Sequence, residues 1–227
     1  MHRVGDIIGL LQRKINSKLL RSICAILYQL SSWTRWLQHA ISKACQMADV
    51  ALLVPYVNDP ITFMRSSVLE GCDSAQFTSI YQYKQYWANH VVTIIKIARA
   101  HLHDDCLNDL LGTIANMTEQ DLPQGCNWND MYCKHELLDL LLGITYREET
   151  RNDVLLEVAA LYRQSCTDED TASLLSGTRI LSVLHRIWDT STEDSRSHLH
   201  LLQTIQTLLH FDSSRNLILS DNGTFNG

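Results

Sequence analysis

Apolar residues recur at every third or fourth position along most of this chain, a spacing typical of amphipathic α-helices. The first helix is predicted from about Asp6 to Leu30, and the apolar residues on one face of it are Ile8, Ile15, Leu19, Ile23, Ile26 and Leu30. The Ser31-Ser32 pair is predicted to end it, because serine favours helix boundaries over helix interiors. A second helix then runs from Trp33 towards Val54, and Pro55 and Pro60 mark a break.

Shorter helices with polar breaks between them are predicted for the rest of the chain. Their approximate ranges are residues 61–70, 73–103, 104–117, 130–144, 147–165, 168–188 and 193–211. The β-branched stretch Val91–Ala98 could be taken for a strand, but its length and the lack of flanking turn residues favour a buried helix. Thr118–Asn129 is the longest predicted loop, and Thr167 with Asp170 is predicted to form a capping box for the helix over 168–188.

Two of these helices carry a clear apolar stripe. In the helix over 104–117 the stripe consists of Leu107, Leu110, Leu111 and Ile114. In the helix over 193–211 the residues near one face are Leu199, Leu202, Ile205, Gln206 and Leu209. A one-sided stripe is the pattern of a helix that packs against a neighbour.

Composition supports an all-α fold. The 227 residues include only three prolines and nine glycines, whereas an all-β fold needs turn residues roughly every 8–12 positions. The hydrophobic fraction of 45% and the charged fraction of 19% are those of a folded protein with a continuous core. The chain is long enough for one domain or one short helical solenoid.

A recurring phrase at helix ends points to repeats. Leu111–Thr118 resembles the end of the third helix of an armadillo repeat, Leu208–Gly223 resembles the junction into a next repeat, and Leu141–Leu156 is a looser copy. Helical HEAT repeats are equally compatible. The resemblance implies an armadillo/HEAT-like right-handed helical-repeat stack. Residues 1–54 would form a basic helical pair that caps the stack, residues 61–221 its body and residues 222–227 a flexible tail.

The same resemblance implies one binding residue. In peptide-binding armadillo proteins an asparagine at the matching position contacts an extended ligand, and a tryptophan lies one turn earlier. Asn116 matches the asparagine, whereas Gly112 stands at the tryptophan position. Asn116 is therefore a candidate partner-binding residue, but recognition of basic peptides in the manner of import receptors is doubtful.

An aromatic cluster is the second binding candidate. Tyr83, Tyr86 and Trp87 lie at helical spacing and share one face with His90. Such a cluster can fill a core, anchor a protein partner or stack nucleic-acid bases. The surrounding acidic body disfavours nucleic acid, because it repels phosphate.

Charge is distributed unevenly along the chain. The formal net charge is −6, yet residues 1–48 contain seven basic residues and one acid, so that the remainder carries −12. Arg13, Lys14, Lys18 and Arg21 share the side of the first helix opposite its apolar face. This basic face can meet the acidic body of the same chain, or it can meet a membrane or a nucleic acid.

Catalytic and metal-binding patterns are weak. No phosphate loop, nucleophile elbow or dinucleotide fingerprint occurs. Cys126, Cys133 and His135, like His101, His103 and Cys106, lack the close pairing with which one turn holds zinc. No catalytic residue, metal or cofactor is therefore predicted. The seven scattered cysteines indicate reduced thiols and predict a cytoplasmic or nuclear protein.

These observations together predict a non-enzymatic scaffold or adaptor. It would bind another protein along the surface of its stacked helices, within a larger complex or alone. The alternative is a peripheral membrane or nucleic-acid adaptor that uses the basic amphipathic N-terminal helices.

Overall fold

The computed structural model describes residues 3–11, 13, 15–47, 88, 90–190 and 195–220, and the regular elements in these ranges are all helices. The predicted all-α class is confirmed. The α-helices are α1 (Arg3–Leu11), α2 (Ser17–Met47), α3 (residues 90–100), α4 (Leu107–Ala115), α5 (Trp128–Lys134), α6 (Leu137–Thr145), α7 (Asn152–Ser165), α8 (Glu169–Ser176), α9 (Ile180–Thr190), α10 (Ser195–Leu208) and α11 (Asp212–Ser220). Predictions for residues 48–87, including the division between residues 54 and 61, lie outside the described residues.

From α4 onward, each helix packs on the helix three places later in the chain. The pairs are α4 with α7, α5 with α8, α6 with α9, α7 with α10 and α8 with α11. The helices thus fall into sets of three consecutive helices, which start with α4, α7 and α10. These three helices begin at residues 107, 152 and 195, which are 45 and 43 residues apart. At the other end α2 packs on α4, and α1 packs on α2.

The three recurring phrases occupy different places in this packing. Leu111 lies in α4 and Leu141 in α6, whereas Leu208 is the last residue of α10. Because α4 and α6 have different packing partners, the phrases do not mark one equivalent position. The starts of α4, α7 and α10 are evenly spaced, at 43–45 residues, whereas the recurring phrases are 30 and 67 residues apart.

The predicted boundary between the first two helices is wrong. The chain breaks between Leu11 and Ser17, where the Asn16 Oδ1 accepts the Leu19 backbone N–H at 2.8 Å and so caps the start of α2. Helix α2 then continues through Ser31. The Ser31 hydroxyl donates to the Tyr28 carbonyl at 2.8 Å, which allows a serine to remain inside a helix.

This break also shifts the buried face of α2. The residues that enter the core are Leu20, Ile23, Cys24, Leu27 and Ser31. Leu19 and Ile26, predicted on the apolar face, are 44% and 48% exposed. The predicted apolar face treats residues 6–30 as one uninterrupted helix. It therefore places Leu19 and Ile26 on the wrong side.

Two other predicted helices are each divided in two. The helix predicted over 130–144 is interrupted at Glu136, whose φ of 65° lies in the left-handed region. The helix predicted over 168–188 is interrupted at residues 177–179, where Arg179 has a φ of 56°. Its capping prediction is also wrong, because Asp168 accepts the Thr171 N–H at 2.7 Å and Thr167 instead contacts Glu119.

The core follows the apolar pattern most closely in the middle of the chain. Val91–Ala98 is helical, as predicted, and its fully buried residues are Val91, Ile94, Ile95 and Ala98. The stripe Leu107, Leu110, Leu111 and Ile114 is buried in α4. Within the described ranges no helix combines the length and the apolar character needed to cross a membrane.

Candidate partner-binding site

Helix α10 exposes a row of large apolar side chains. We call this row the α10 ridge, and it consists of Leu199, Leu202, Ile205 and Leu209. Leu199 and Leu202 are 55% and 56% exposed, and Ile205 and Leu209 are half-buried. A different side of the same helix, with Leu201, Thr204 and Leu208, is buried. The predicted apolar face of this helix thus lies partly towards solvent, since Ile205 packs against the core, while a second apolar face is fully buried.

The α10 ridge borders a shallow apolar cleft. The cleft has a volume of about 450 Å³ and is lined by Leu202, Ile205, Gln206, Leu209 and His210. Between Ser195 and Leu208 the sequence contains no acid, and Arg196 is the only arginine or lysine. An apolar surface with so little charge on its helix suits a partner whose contact face is also apolar.

An aromatic residue extends this surface at the end of α9. The Trp188 ring lies against the His198 ring of α10, with 5.2 Å between the ring centroids. Trp188 is itself exposed. Tryptophan is enriched among the residues that contribute most to protein interfaces, so the α10 ridge and Trp188 together form the candidate site.

Helix α2 carries a second exposed apolar row. Leu19, Ile26 and Trp33 are all exposed and lie seven residues apart, so they share one side of the helix. Trp36 is exposed nearby. We call Leu19, Ile26 and Trp33 the α2 row.

One residue of the predicted basic face contacts the acidic body at the surface. Arg21 forms an ion pair with Asp105 in the turn before α4. Asp105 also pairs with Arg151 at 2.7 Å, so one carboxylate connects α2 with the start of α7. Arg13 and Lys18 are exposed, and Lys14 lies outside the described residues. The intramolecular interpretation of the charge asymmetry therefore holds for Arg21.

Asn116 lies at the end of α4 and uses its side chain within the chain. Its Nδ2 donates to the Ser31 Oγ at 3.1 Å. Arg35 donates to the Asn116 Oδ1 at 3.4 Å and to the Ala115 carbonyl at 3.2 Å. The amide thus holds α2 against the end of α4, and partner binding by Asn116 stays a prediction.

The predicted aromatic cluster cannot be placed. Tyr83, Tyr86 and Trp87 lie outside the described residues, and of this group only His90 is described. Burial lowers the pKa of His90, because the charged imidazole loses contact with water. The use of Tyr83, Tyr86 and Trp87 for partner binding stays a prediction.

A polar cluster lies between α2, α4 and α7. The Glu157 carboxylate of α7 is half-buried and faces the Tyr28 ring of α2 across Gly112 of α4. Burial raises the pKa of Glu157 to about 7, with a further contribution from the negative charge of Asp109. Arg35 lies close enough for its charge to interact with Glu157. This cluster makes Glu157 a group that titrates near neutral pH.

A larger cleft of about 540 Å³ lies between residues 102–107 and 144–154. Two arginines at this cleft are engaged mainly with backbone carbonyls. Arg147 donates to the Leu102 carbonyl at 2.8 Å and contacts His103, and Arg186 donates to the Arg147 and Thr150 carbonyls at 2.9 and 2.7 Å. These contacts join the loop after α3 to the loop after α6.

In the part of the chain that the structure describes, no group of three or more histidine, cysteine, aspartate or glutamate side chains is placed to hold an ion. His101 pairs with Asp104, and Glu136 pairs with Arg99 at 2.5 Å. Cys133 is exposed and donates to Asn129.

Comparison with known proteins identifies no relative: no family model matches the chain, and neither a curated protein nor a solved structure is similar to it.

Proposed function

We propose that this chain is a non-enzymatic, armadillo/HEAT-like adaptor built as a right-handed stack of three-helix units. Two observations support the proposal. Each helix from α4 onward packs on the helix three places later, and the first helices of the successive sets begin 45 and 43 residues apart. Armadillo and HEAT repeats have periods of about 40–47 residues. The seven cysteines, which are scattered without paired spacing, favour a cytoplasmic or nuclear location.

The adaptor binds an amphipathic helix of a partner protein on the α10 ridge. The observation that carries this proposal is the exposure of Leu199 and Leu202 on a helix whose other apolar side is already buried. In the packing of α4 on α7 and of α7 on α10, one helix covers the apolar side of the next. A partner helix would pack on the exposed side of α10 in the same way, through apolar residues at spacings of three and four.

The scarcity of charged residues on α10 limits the kinds of partner surface that the ridge can bind. The chain carries −6 overall, whereas α10 itself contains no acid and a single arginine, so apolar contacts rather than ion pairs dominate on this helix. The partner helix therefore binds chiefly through an apolar contact face.

Charge substitution on the ridge tests this function. Affinity purification would compare the wild-type chain with the double variant Leu199→Glu and Leu202→Glu. We expect proteins enriched on the wild-type chain to be lost from the variant, and a synthetic amphipathic helix from such a protein to bind only the wild type in fluorescence anisotropy. Leu219→Glu is the matched control, since Leu219 is the exposed leucine of α11.

Two outcomes would overturn the proposal. Equal enrichment of all proteins on the wild type and on the double variant would remove the ridge as a binding surface. A wild-type dimer in sedimentation equilibrium that becomes a monomer in the double variant would show that the occupant is a second copy of the chain rather than another protein.

A second candidate function is binding to an anionic membrane surface through α2. It is favoured by the α2 row, because the exposed side chains of Leu19, Ile26 and Trp33 share a helix with the exposed Lys18. Interfacial helices combine apolar residues with lysine or arginine in this way. Co-sedimentation with phosphatidylserine vesicles at low salt tests it. Loss of pelleting in Ile26→Glu, but not in Leu202→Glu, would support membrane binding, and no pelleting of the wild type would exclude it.

A further inference from the structure

The cleft beside the α10 ridge combines an aliphatic floor with a polar rim. The described residues that line it follow each other at helical spacing along the end of α10 and the turn after it, and they are Leu202, Ile205, Gln206, Leu209 and His210. Three of these are aliphatic, and none carries a permanent charge. The cleft therefore favours a neutral occupant, because a charged group would lose hydration there without gaining an ion pair.

The imidazole of His210 is oriented by a hydrogen bond to the last turn of α10. The His210 Nδ1 and the Gln206 backbone carbonyl oxygen are 2.7 Å apart. A carbonyl oxygen can only accept, so Nδ1 carries the hydrogen and donates. In the neutral imidazole the other nitrogen, Nε2, then has a lone pair and is an acceptor. Since His210 is exposed and lines the cleft, the rim offers a hydrogen-bond acceptor of fixed type.

The second polar group of the rim is less selective. Gln206 is exposed, and its amide contains both a donor and an acceptor, so it can satisfy either kind of ligand group by rotation. The preference of the rim for a donor therefore comes from His210. An occupant that covers the aliphatic floor without a donor would take water away from the His210 Nε2 and leave this nitrogen without a hydrogen bond.

Tryptophan is the side chain that matches both parts of the cleft. Its indole is a flat apolar ring system that suits a shallow aliphatic floor, and the volume of about 450 Å³ is ample for it. Its ring N–H is a neutral donor without acceptor capacity. Leucine and phenylalanine would cover the floor but not satisfy the rim. Tryptophan is also the residue type most enriched at the centres of protein interfaces.

We infer that the cleft is the anchor site for a tryptophan of the partner helix, whose indole N–H donates to the His210 Nε2 while its ring covers the aliphatic floor. This inference deepens the proposed function and rests on it, since the indole belongs to the helix that binds the α10 ridge. It adds a sequence requirement to the partner, namely one tryptophan within its apolar face.

Titration of the full-length chain with indole and with N-methylindole tests the site with small probes. N-methylindole lacks the N–H donor and is the more apolar of the two, so apolar contact alone would make it the tighter ligand. NMR spectra of the histidine-labelled chain follow binding through the ring signal of His210. We expect indole to shift this signal and to bind roughly two- to tenfold more tightly than N-methylindole, the range that one neutral hydrogen bond provides.

Two variants assign the preference for indole to one residue. His210→Phe removes the acceptor, identifies the His210 signal by its loss, and should bind N-methylindole at least as tightly as indole when binding is followed on the signals of the probes. His135→Phe is the matched control, since it replaces a histidine outside α10 and should keep the wild-type preference.

The inference is overturned if the His210 signal does not respond to indole, if N-methylindole binds the wild type as tightly as indole, or if the preference for indole persists in His210→Phe. The first two criteria need only the wild-type chain, so they hold even if a variant fails to fold.

Failure of this inference can be told apart from failure of the proposed function. Loss of partner capture in the double variant Leu199→Glu and Leu202→Glu, without a preference for indole, would remove the tryptophan anchor and leave the proposed function standing. A preference for indole together with unchanged capture by the double variant would overturn the proposed function, and with it the assignment of the indole to a partner helix.

Discussion

Gly112 of α4 lies directly against the ring of Tyr28 of α2. A Cβ atom on Gly112 would be 2.4 Å from the Tyr28 Cε2 and 2.8 Å from the Glu157 Oε2. Both separations are far below van der Waals contact, so any side chain at this position must displace the α2–α4 contact or the Glu157 carboxylate. Helical glycine is ordinarily unfavourable, and here close packing of two helices accounts for it.

Gly112→Ala is accordingly expected to destabilise the protein by about 1–3 kcal/mol, the usual cost of overpacking. Alanine's better helix propensity would offset part of this cost. Gly9→Ala is the control, since a Cβ on Gly9 in α1 meets nothing within 4 Å and should be neutral or stabilising. Urea unfolding measures both free energies. A neutral Gly112→Ala would contradict the close approach.

Glu157 should make stability depend on pH. Its pKa is raised from 4.5 to about 7 in the folded chain, so the folded state holds a proton that the unfolded state has lost between these values. The free energy of unfolding therefore falls as pH rises from about 4.5 to 7. Glu157→Gln should remove this loss, and should be more stable than the wild type at pH 8 by about 2 kcal/mol.

At pH 4 the difference between Glu157→Gln and the wild type should largely disappear, because the carboxyl is then protonated in both states of the wild type. Chemical denaturation at several pH values provides the measurement. Glu148→Gln, at an exposed position, is the matched control and should leave the pH profile unchanged. A constant difference between Glu157→Gln and the wild type across pH would show that Glu157 does not titrate in this range.

The amide of Asn116 should contribute to stability through Ser31. Asn116→Ala is expected to cost about 1 kcal/mol, because the Ser31 hydroxyl and the Arg35 guanidinium lose a partner. A double-mutant cycle with Ser31→Ala, followed by urea unfolding, should give a coupling free energy of about 0.5–1 kcal/mol. Strict additivity would contradict the hydrogen bond between the two side chains.

Adjacent leucines of α10 should respond very differently to truncation. Leu201 is fully buried, and Leu201→Ala is expected to cost about 2–5 kcal/mol. Leu202 belongs to the α10 ridge, and Leu202→Ala should change the free energy of unfolding by no more than about 0.5 kcal/mol. Thermal unfolding followed by circular dichroism measures both. Similar losses for the two variants would show that the ridge is covered.

The helical class and the stripe of α4 could be predicted from the sequence, because a 3.6-residue period in apolar positions depends only on local order along the chain. The buried face of α2 could not. Its phase depends on where the helix starts, and Asn16 rather than Ser31 marks the boundary. The left-handed Glu136 and Arg179 escaped prediction for a related reason, since neither residue type favours that conformation and the surrounding packing imposes it.

Only part of the candidate site could be predicted from the sequence. Leu199, Leu202 and Ile205 could be recognised as one face of a helix, but Leu201 and Leu208 form an equally apolar second face. A helix with two apolar sides does not reveal which side the core takes. The Glu157 cluster depends on the packing of α2, α4 and α7, and no local pattern signals it.

The packing of each helix on the helix three places later has a mechanical consequence for α10. This helix rests on α7 and α9, and its ridge side has no helix of the next set among the described residues. A layer supported from one side only is the first to fray, so its amide hydrogens should exchange faster than those of α7. A ligand on the ridge would support α10 from its second side, so amide exchange should slow along the whole helix, including on the buried face that the ligand does not touch.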